Sequence, residues 1–194
     1  MKKLLIATGN KGKFKEFCEY LNSDELTCIS TNGYSIVEPV ENGVTFEENA
    51  LIKAKYYYEH TNLPSLADDS GLIVDQLDGE PGIFSARWAG EDKNFSMAIN
   101  KIKKKLEEKK IDLNKVTGSF YCSLCLYGPA GVVFEASAKT RGKLVFPARG
   151  NNGFGYDPIF IAEGNKLTFA EMTDIDKKRF SHRARALVKI KEYL

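Results

Sequence analysis

The sequence has almost no excess of charge of either sign. Its 28 Lys and Arg residues are balanced by 26 Asp and Glu residues, so the formal net charge is only +2 over 194 residues. Non-specific binding to nucleic acid depends on a surplus of positive charge, and this balance therefore disfavours a nucleic-acid partner. Any phosphate group that the protein binds must be held by a local cluster of charges.

Long apolar segments are also missing. No run approaches the roughly 18 apolar residues that a membrane-spanning helix needs. The apolar run near the start is short and turns polar at Thr8, which predicts a first strand rather than a secretory signal. We therefore expect a cytoplasmic protein without a membrane partner.

Cysteine is scarce, with four residues in the chain, and only Cys122 and Cys125 lie close together in sequence. They belong to a segment that alternates like a strand, where positions three apart face opposite sides of a sheet. A shared metal ion or a redox pair is therefore disfavoured there. We expect the four cysteines to be buried free thiols.

The sequence as a whole, with 43% hydrophobic residues, is enough for a real core and predicts one domain over 1–194. Strands and helices alternate along it without repeats or low-complexity tracts, which indicates an α/β fold with mixed strand order. The predicted elements are a strand at 3–7 followed by a helix, a weak strand at 27–30, a helix within 43–61, a strand, acidic turn and strand within 65–77, a helix at 95–110, a hairpin at 116–140, and a final helix whose inner face includes Leu187, Ile190 and Leu194.

The segment 8–13, TGNKGK, lies where the first predicted strand meets a helix. Free backbone N–H groups and the positive end of the helix dipole point at one place there, and such helix ends bind anions. The G-x-x-x-x-G-K-[ST] spacing of a Walker A loop is absent. One interpretation makes Thr8 and Asn10 hydrogen-bonding partners and Lys13 a point charge on a phosphate. The other is a capped helix with surface lysines.

Two adjacent carboxylates, Asp68 and Asp69, interrupt an apolar segment, and we expect them to end a buried strand in a turn. Ligands gather at such strand ends in open α/β sheets. Carboxylates suit Mg²⁺, and one of an adjacent pair can hold the metal while its neighbour accepts a proton from water. The alternative is a turn with two solvated aspartates. Four glutamates before or within the start of the 43–61 helix could complete the acidic set: Glu38, Glu41, Glu47 and Glu48.

Two further motifs lie towards the end of the chain. The glycine-rich segment 150–160 would let backbone approach a ligand closely, and Phe154 and Tyr156 could stack on a flat ring. His182 and Arg183 fall in the first turn of the last helix, where cations oppose the helix dipole. We therefore expect a negative or electron-rich group beside them. The alternatives are an ordinary loop and a structural histidine.

Four segments follow one another along the chain: TGNKGK, ADDSGL with PGIFSARWAG after it, GNNGFGYDPIF, and SHRARAL. Together they resemble the inosine/xanthosine triphosphate pyrophosphatase family over nearly the whole chain. The resemblance implies an α/β fold with a long, mixed, twisted central sheet flanked by helices, forming two lobes around a substrate cleft, usually in a homodimer. It implies Mg²⁺-dependent hydrolysis of ITP, dITP and XTP to the nucleoside monophosphate and pyrophosphate, which removes them from the nucleotide pool.

The resemblance also implies roles for residues. Asp69 matches the general base, and Glu41, Asp68 and Asp69 match metal ligands, with Glu38 and Glu47 as alternatives to Glu41. The positions that match substrate contacts are Thr8, Gly9, Asn10, Lys11, Gly12, Lys13, Lys53, Ser70, Phe154, Gly155, Tyr156, Asp157, Lys177, His182 and Arg183.

Base selectivity has a physical explanation in this reading. Hypoxanthine and xanthine carry a 6-oxo acceptor where adenine carries an amino donor. We hypothesise that Lys177, His182 and Arg183 donate to the 6-oxo group, because leaving a buried donor unsatisfied costs about 1–3 kcal/mol. Arg183→Ala should then lose ITP turnover more than ATP turnover.

Two other functions stay open. A pyrophosphatase for modified pyrimidine or standard deoxynucleotides would differ in base preference. A nucleotide-sensing module would bind nucleotide without releasing pyrophosphate.

Overall fold

The computed structural model describes residues 2–190 and Tyr193. Leu194, which we predicted on the inner face of the last helix, lies outside the described residues. The strands are β1 Lys2–Ile6, β2 Leu26–Ser30, β3 Ser65–Val74, β4 Thr117–Gly128, β5 Gly131–Leu144 and β6 Phe160–Ala162. The α-helices are α1 Lys11–Leu21, α2 Phe46–Thr61, α3 Phe95–Glu108, α4 Asp174–Phe180 and α5 His182–Ile190.

The strands form a mixed sheet in the order β2-β1-β3-β4-β5-β6. β1 is parallel to both β2 and β3, with Leu5 opposite Ile29 on one side and Ser65 on the other. β5 and β6 are antiparallel, with Leu144 opposite Phe160. The predicted α/β class with mixed strand order is confirmed, and so is the predicted hairpin, since two residues separate β4 from β5.

One prediction about this sheet is wrong. We expected an acidic turn between two strands, but β3 runs unbroken through Asp68 and Asp69. Successive side chains of a strand point to opposite faces, so the two carboxylates do not lie side by side. Each has cationic partners of its own, as described below, and the strand therefore needs no turn to bring them to solvent.

The chain divides into two compact units, and the first comprises the described residues of 1–69, 122–138 and 183–194. Its core has two clusters, one on each face of β1 and β3. One cluster joins the strands to α1 and α5 and includes Leu4, Ile6 and Leu66 from the strands, Phe17 from α1 and Leu187 from α5. The other joins the strands to α2 and includes Leu5, Ala7 and Ala67 from β1, its end and β3, with Ala50 and Ala54 from α2.

The second unit comprises residues 70–121 and 139–182. Its core joins the second half of β3 to α3, to β6 and to the segment after β6. Members include Leu72, Val74, Ile102, Leu106, Phe160 and Phe169. The single domain and the substrate cleft stay predictions.

The four cysteines are free thiols, as predicted, but the prediction that all four are buried is wrong for Cys18. Cys28, Cys122 and Cys125 are buried, and Cys18 is partly exposed. Cys122 packs in the cluster with α1, whereas Cys125 packs in the cluster with α2, so the two face opposite sides of the sheet. Among the described helices, none combines the length and the apolar character needed to cross a bilayer.

Candidate functional site

Asp68 lies in the middle of β3, on the face that α1 and α5 cover, and only 1% of its surface is exposed. The Lys13 Nζ lies 2.8 Å from its Oδ2. Arg183 donates to the same oxygen from Nε and Nη2, at 3.2 Å each, and its Nη1 donates to Glu16. Two basic residues and two acidic residues therefore join α1, β3 and α5 in one network.

This network fixes the charge of its members. Burial alone would raise the pKa of Asp68, but Lys13 and Arg183 hold it well below its usual range. Burial alone would lower the pKa of Arg183, but the negative charges of Glu16 and Asp68 outweigh burial and raise the pKa above its usual value. Asp68 is therefore a permanent anion at neutral pH. The negative partner that we expected beside Arg183 is confirmed as these two carboxylates.

Asp69 occupies the opposite face of β3, towards α2, and is 6% exposed. Its Oδ1 lies 3.5 Å from the Nζ of Lys53, which is itself 2.9 Å from Glu41 Oε1. Its Oδ2 accepts a hydrogen bond of 3.2 Å from Asn49 Nδ2. Burial raises the pKa of Asp69 above its usual value, although Lys53 opposes the shift. A raised pKa makes this carboxylate a stronger base than an ordinary aspartate.

The glutamates before and within the start of α2 have different environments. Glu41 contacts Lys53. Glu48 caps the helix, because its Oε2 accepts from the Val44 N–H at 2.6 Å while its own N–H donates to Thr45 Oγ1 at 3.1 Å. Glu38 is exposed. Metal binding by Glu38 or Glu47 in place of Glu41 stays a prediction.

The segment 8–13 forms the predicted junction of strand and helix. Asn10 caps α1, with its Oδ1 accepting from the Lys13 N–H at 3.0 Å. The Thr8 Oγ1 accepts from the Asn10 N–H at 3.2 Å. The backbone is thus arranged as a capped helix start, and the Lys13 side chain extends from it to Asp68. The capped-helix interpretation describes the local contacts, and the anion-binding role is a separate proposal.

The glycine-rich segment of the second unit closes around Asp157, which is buried. Lys177, also buried, lies with its Nζ 2.7 Å from Asp157 Oδ2. The Phe154 N–H donates to the same oxygen at 2.8 Å, and the Lys177 ammonium stands 4.5 Å from the centre of the Phe154 ring. A Cβ on Gly153, which has φ +73°, would come within 2.1 Å of that oxygen, so this close approach requires glycine.

Tyr156 belongs to the core of the second unit. Its hydroxyl donates to the Ser85 carbonyl at 2.9 Å, and its ring meets Phe95 edge to face at 5.3 Å. The His182 ring, also buried, stacks on Phe120 at 4.8 Å between centroids. The predicted substrate positions Ser70, Phe154 and Gly155 are partly buried.

Sequence reasoning missed two polar residues of the first unit. Glu16 is three positions after Lys13 in α1, and Asn49 is four positions before Lys53 in α2. Residues at these spacings share a helix face, so the spacing to a predicted lysine was the available signal.

The acidic residues have the chemistry of a hard-cation site, since their donors are all oxygen. Within residues 2–190 and 193, no three His, Cys, Asp or Glu side chains are grouped so that they could hold a metal ion. Mg²⁺ commonly uses one or two carboxylates and takes its other ligands from water and substrate phosphates. The donor set therefore fits Mg²⁺ shared with a phosphate ligand.

The chain matches known proteins over nearly its whole length. The Ham1 family model matches residues 4–193. A dITP/XTP pyrophosphatase from Rhodopseudomonas palustris is 45% identical, with 98% of this chain and 94% of that protein covered. The structure of a HAM1 protein from Coxiella burnetii is 35% identical with a TM-score of 0.87, covering 100% of this chain and 98% of that one.

A structure of a nucleoside-triphosphatase, or dITP/XTP pyrophosphatase, from Mycobacterium abscessus is 36% identical, with a TM-score of 0.77, and covers 97% of this chain and 98% of that chain. The expected family resemblance is confirmed by two independent kinds of likeness, in sequence and in fold. The chain belongs to the Ham1 family.

Proposed function

We propose that this chain hydrolyses the non-standard purine nucleotides ITP, dITP and XTP to the nucleoside monophosphate and pyrophosphate, and so removes them from the nucleotide pool. Relatives that carry the name dITP/XTP pyrophosphatase match it at 43–45% identity over nearly the full chain, which supports the substrate class. The single observation that carries the chemistry is the pair Asp68 and Asp69, of which Asp68 is held by Lys13 and Arg183 while the buried Asp69 contacts Lys53 and Asn49.

In this proposal the segment 8–13 binds the triphosphate, with Lys13 and Lys53 as point charges on its oxygens. Of the three metal ligands that the resemblance implies, Glu41 and Asp69 both contact Lys53 and would hold Mg²⁺, which when bound would neutralise charge on the phosphate oxygens. Asp68 lies on the other face of β3, where Lys13 and Arg183 contact it. Both lysines contact these carboxylates, which hold the two ammonium groups in place before nucleotide arrives.

Asp69 acts as the general base. It takes a proton from water, whose oxygen forms a bond to the α-phosphorus. The bond between that phosphorus and the oxygen bridging to the β-phosphorus breaks, and pyrophosphate leaves with the electron pair. Burial favours this role because it raises the proton affinity of Asp69.

Other predicted substrate residues contact the purine base in this proposal. Lys177 and His182 offer polar side chains to it, and Asp157 holds the ammonium of Lys177 in place. Phe154, Gly155, Tyr156 and Ser70 complete the set. The contacts of Arg183 with Asp68 and Glu16 favour a role in holding Asp68 over one in contacting the base.

We further propose a cytoplasmic homodimer without a nucleic-acid or membrane partner. The near-neutral net charge supports the absence of nucleic acid. The family resemblance alone supports the dimer, which light scattering after size-exclusion chromatography would test.

The deciding experiment is pyrophosphate release from ITP, XTP, dGTP and ATP, with Mg²⁺ and with chelator. Wild type is compared with Asp69→Asn and with Asp24→Asn, which removes an exposed carboxylate. We expect Mg²⁺-dependent release from ITP and XTP that falls roughly 10²–10⁴-fold in Asp69→Asn and stays unchanged in Asp24→Asn. Binding without release would make the protein a nucleotide sensor, and equal release from all four would refute the base selectivity.

A further inference from the structure

We infer that Asn49 is a positioning residue that orients the carboxylate of Asp69 for the reaction proposed above. The inference rests on the proposed function, because it assigns a task to Asn49 in the reaction that Asp69 is proposed to perform.

Asn49 lies in the first turn of α2 and is fully buried, with 0% of its surface exposed. Its Nδ2 donates to Asp69 Oδ2 at 3.2 Å. Its Oδ1 accepts from the backbone N–H of Gly43 at 2.9 Å. A buried amide with a partner for each of its two ends is held in one orientation.

The identity of those partners fixes which end points to Asp69. The Gly43 N–H can only donate, so it needs the amide oxygen rather than the NH₂ group. The carboxylate of Asp69 can only accept when ionised, so it needs the NH₂ group. Turning the amide over would place donor against donor and acceptor against acceptor, and the assignment therefore follows from the network.

This contact makes the two oxygens of Asp69 different. Oδ2 receives the neutral N–H donor of Asn49, whereas Oδ1 lies 3.5 Å from the Lys53 ammonium. The hydrogen bond from Asn49 restricts rotation of the Asp69 carboxyl group. Oδ2 is therefore held towards Asn49, and Oδ1 is directed towards Lys53.

The same amide ties Asp69 to the segment that carries Glu41. Gly43 follows Glu41 by two positions and donates directly to Asn49. A Cβ on Gly43 would lie 2.8 Å from Asn49 Oδ1 and 2.7 Å from Glu48 Cβ, so the approach requires glycine. Asn49 thus links the acidic segment to the general base through one side chain.

The test compares Asn49→Leu, a neutral residue of similar size, with wild type and with Asn32→Leu, a control at an exposed position of the first unit. We expect kcat for ITP to fall by roughly 10–100-fold, as misplacement of a reacting group typically does. KM for ITP and the Kd of its α,β-methylene analogue should change by less than about threefold, because Asn49 orients the base rather than the nucleotide. Asn32→Leu should change neither.

A double-variant comparison separates positioning from mere structural support. In an Asp69→Asn background the base is gone, so Asn49→Leu should lower the residual rate by less than about twofold. An equal loss in both backgrounds would overturn the inference, and so would a kcat within about threefold of wild type. If Asn49→Leu does not fold, the same comparison is made with Asn49→Ala, which also removes the donor to Asp69 and introduces no charge beside it.

The outcome is separable from that of the proposed function. If wild type releases no pyrophosphate from ITP or XTP, the proposed function fails. If wild type is active and Asn49→Leu is equally active, only the role of Asn49 fails.

Discussion

Replacing Arg183 by methionine should destabilise the protein strongly and should not change its preference between bases. Arg183 is 2% exposed. It donates hydrogen bonds from Nε and Nη2 to Asp68 and from Nη1 to Glu16. Methionine fills much of the same space but has no charge and no donor. The variant therefore leaves two carboxylates without the cation that lies between them.

The magnitude follows from the burial of the pair. Removing one partner of a buried ion pair costs about 3–5 kcal/mol. Asp68 keeps Lys13 at 2.8 Å, and the Glu16 side chain is 25% exposed and can be hydrated, so we expect the lower end, about 3 kcal/mol. For a chain of this size each kcal/mol lowers the melting temperature by about 2–4 °C, which gives a fall of about 6–12 °C.

Differential scanning calorimetry of Arg183→Met measures this fall, with Arg185→Met, an exposed position in the same helix, as control. The control should change by less than about 0.5 kcal/mol. A fall of less than about 2 °C would refute the buried network as the main role of Arg183. When the turnover of ITP and of ATP by Arg183→Met is measured, both rates should fall by the same factor relative to wild type. A larger loss for ITP would instead support Arg183 as a donor to the 6-oxo group.

Other parts of the structure give further predictions. Lys177→Met removes the cation from the buried Asp157 and should cost about 3 kcal/mol in calorimetry, and an unchanged melting temperature would contradict the pair. Thr45→Ala removes the side-chain cap of α2 and should cost about 1 kcal/mol in a urea titration, whereas no change in the midpoint would contradict the cap. Burial raises the pKa of the Cys28 and Cys125 thiols to about 12, so both should react with a thiol reagent at pH 8 only after unfolding, and rapid modification of either residue in the native protein, located by peptide mass spectrometry, would refute this.

Much of the fold could be predicted from the sequence because local patterns determined it. The apolar face of α3 repeats at helical spacing, with Ala98, Ile102 and Leu106 all buried. The two long strands β4 and β5 alternate in sequence and flank a Pro-Ala turn. In these elements the local pattern and the tertiary packing favour the same structure, and the prediction holds.

Parts of the candidate site were beyond sequence reasoning because they depend on contacts far apart in the chain. Arg183 meets Asp68 across a separation of 115 residues, and Asn49 meets Asp69 across 20. Asn49 has the sequence appearance of an ordinary polar helix residue. Its burial is decided by the packing of α2 against β3, which no local pattern reports.

The wrong prediction of a turn at Asp68 and Asp69 also arose because their contacts are far apart in sequence. Those contacts show how the chain tolerates the pair. Two adjacent carboxylates in a turn would repel one another and seek water, and the sequence suggested that reading. In a strand they point to opposite faces, and each face is covered by a helix that brings a lysine: α1 brings Lys13 to one, and α2 brings Lys53 to the other. Because the two faces offer different partners, the same residue type acquires opposite pKa shifts at neighbouring positions. A strand, unlike a turn, can thus give two adjacent aspartates different environments, one beside Lys13 and Arg183 and the other beside Lys53 and Asn49.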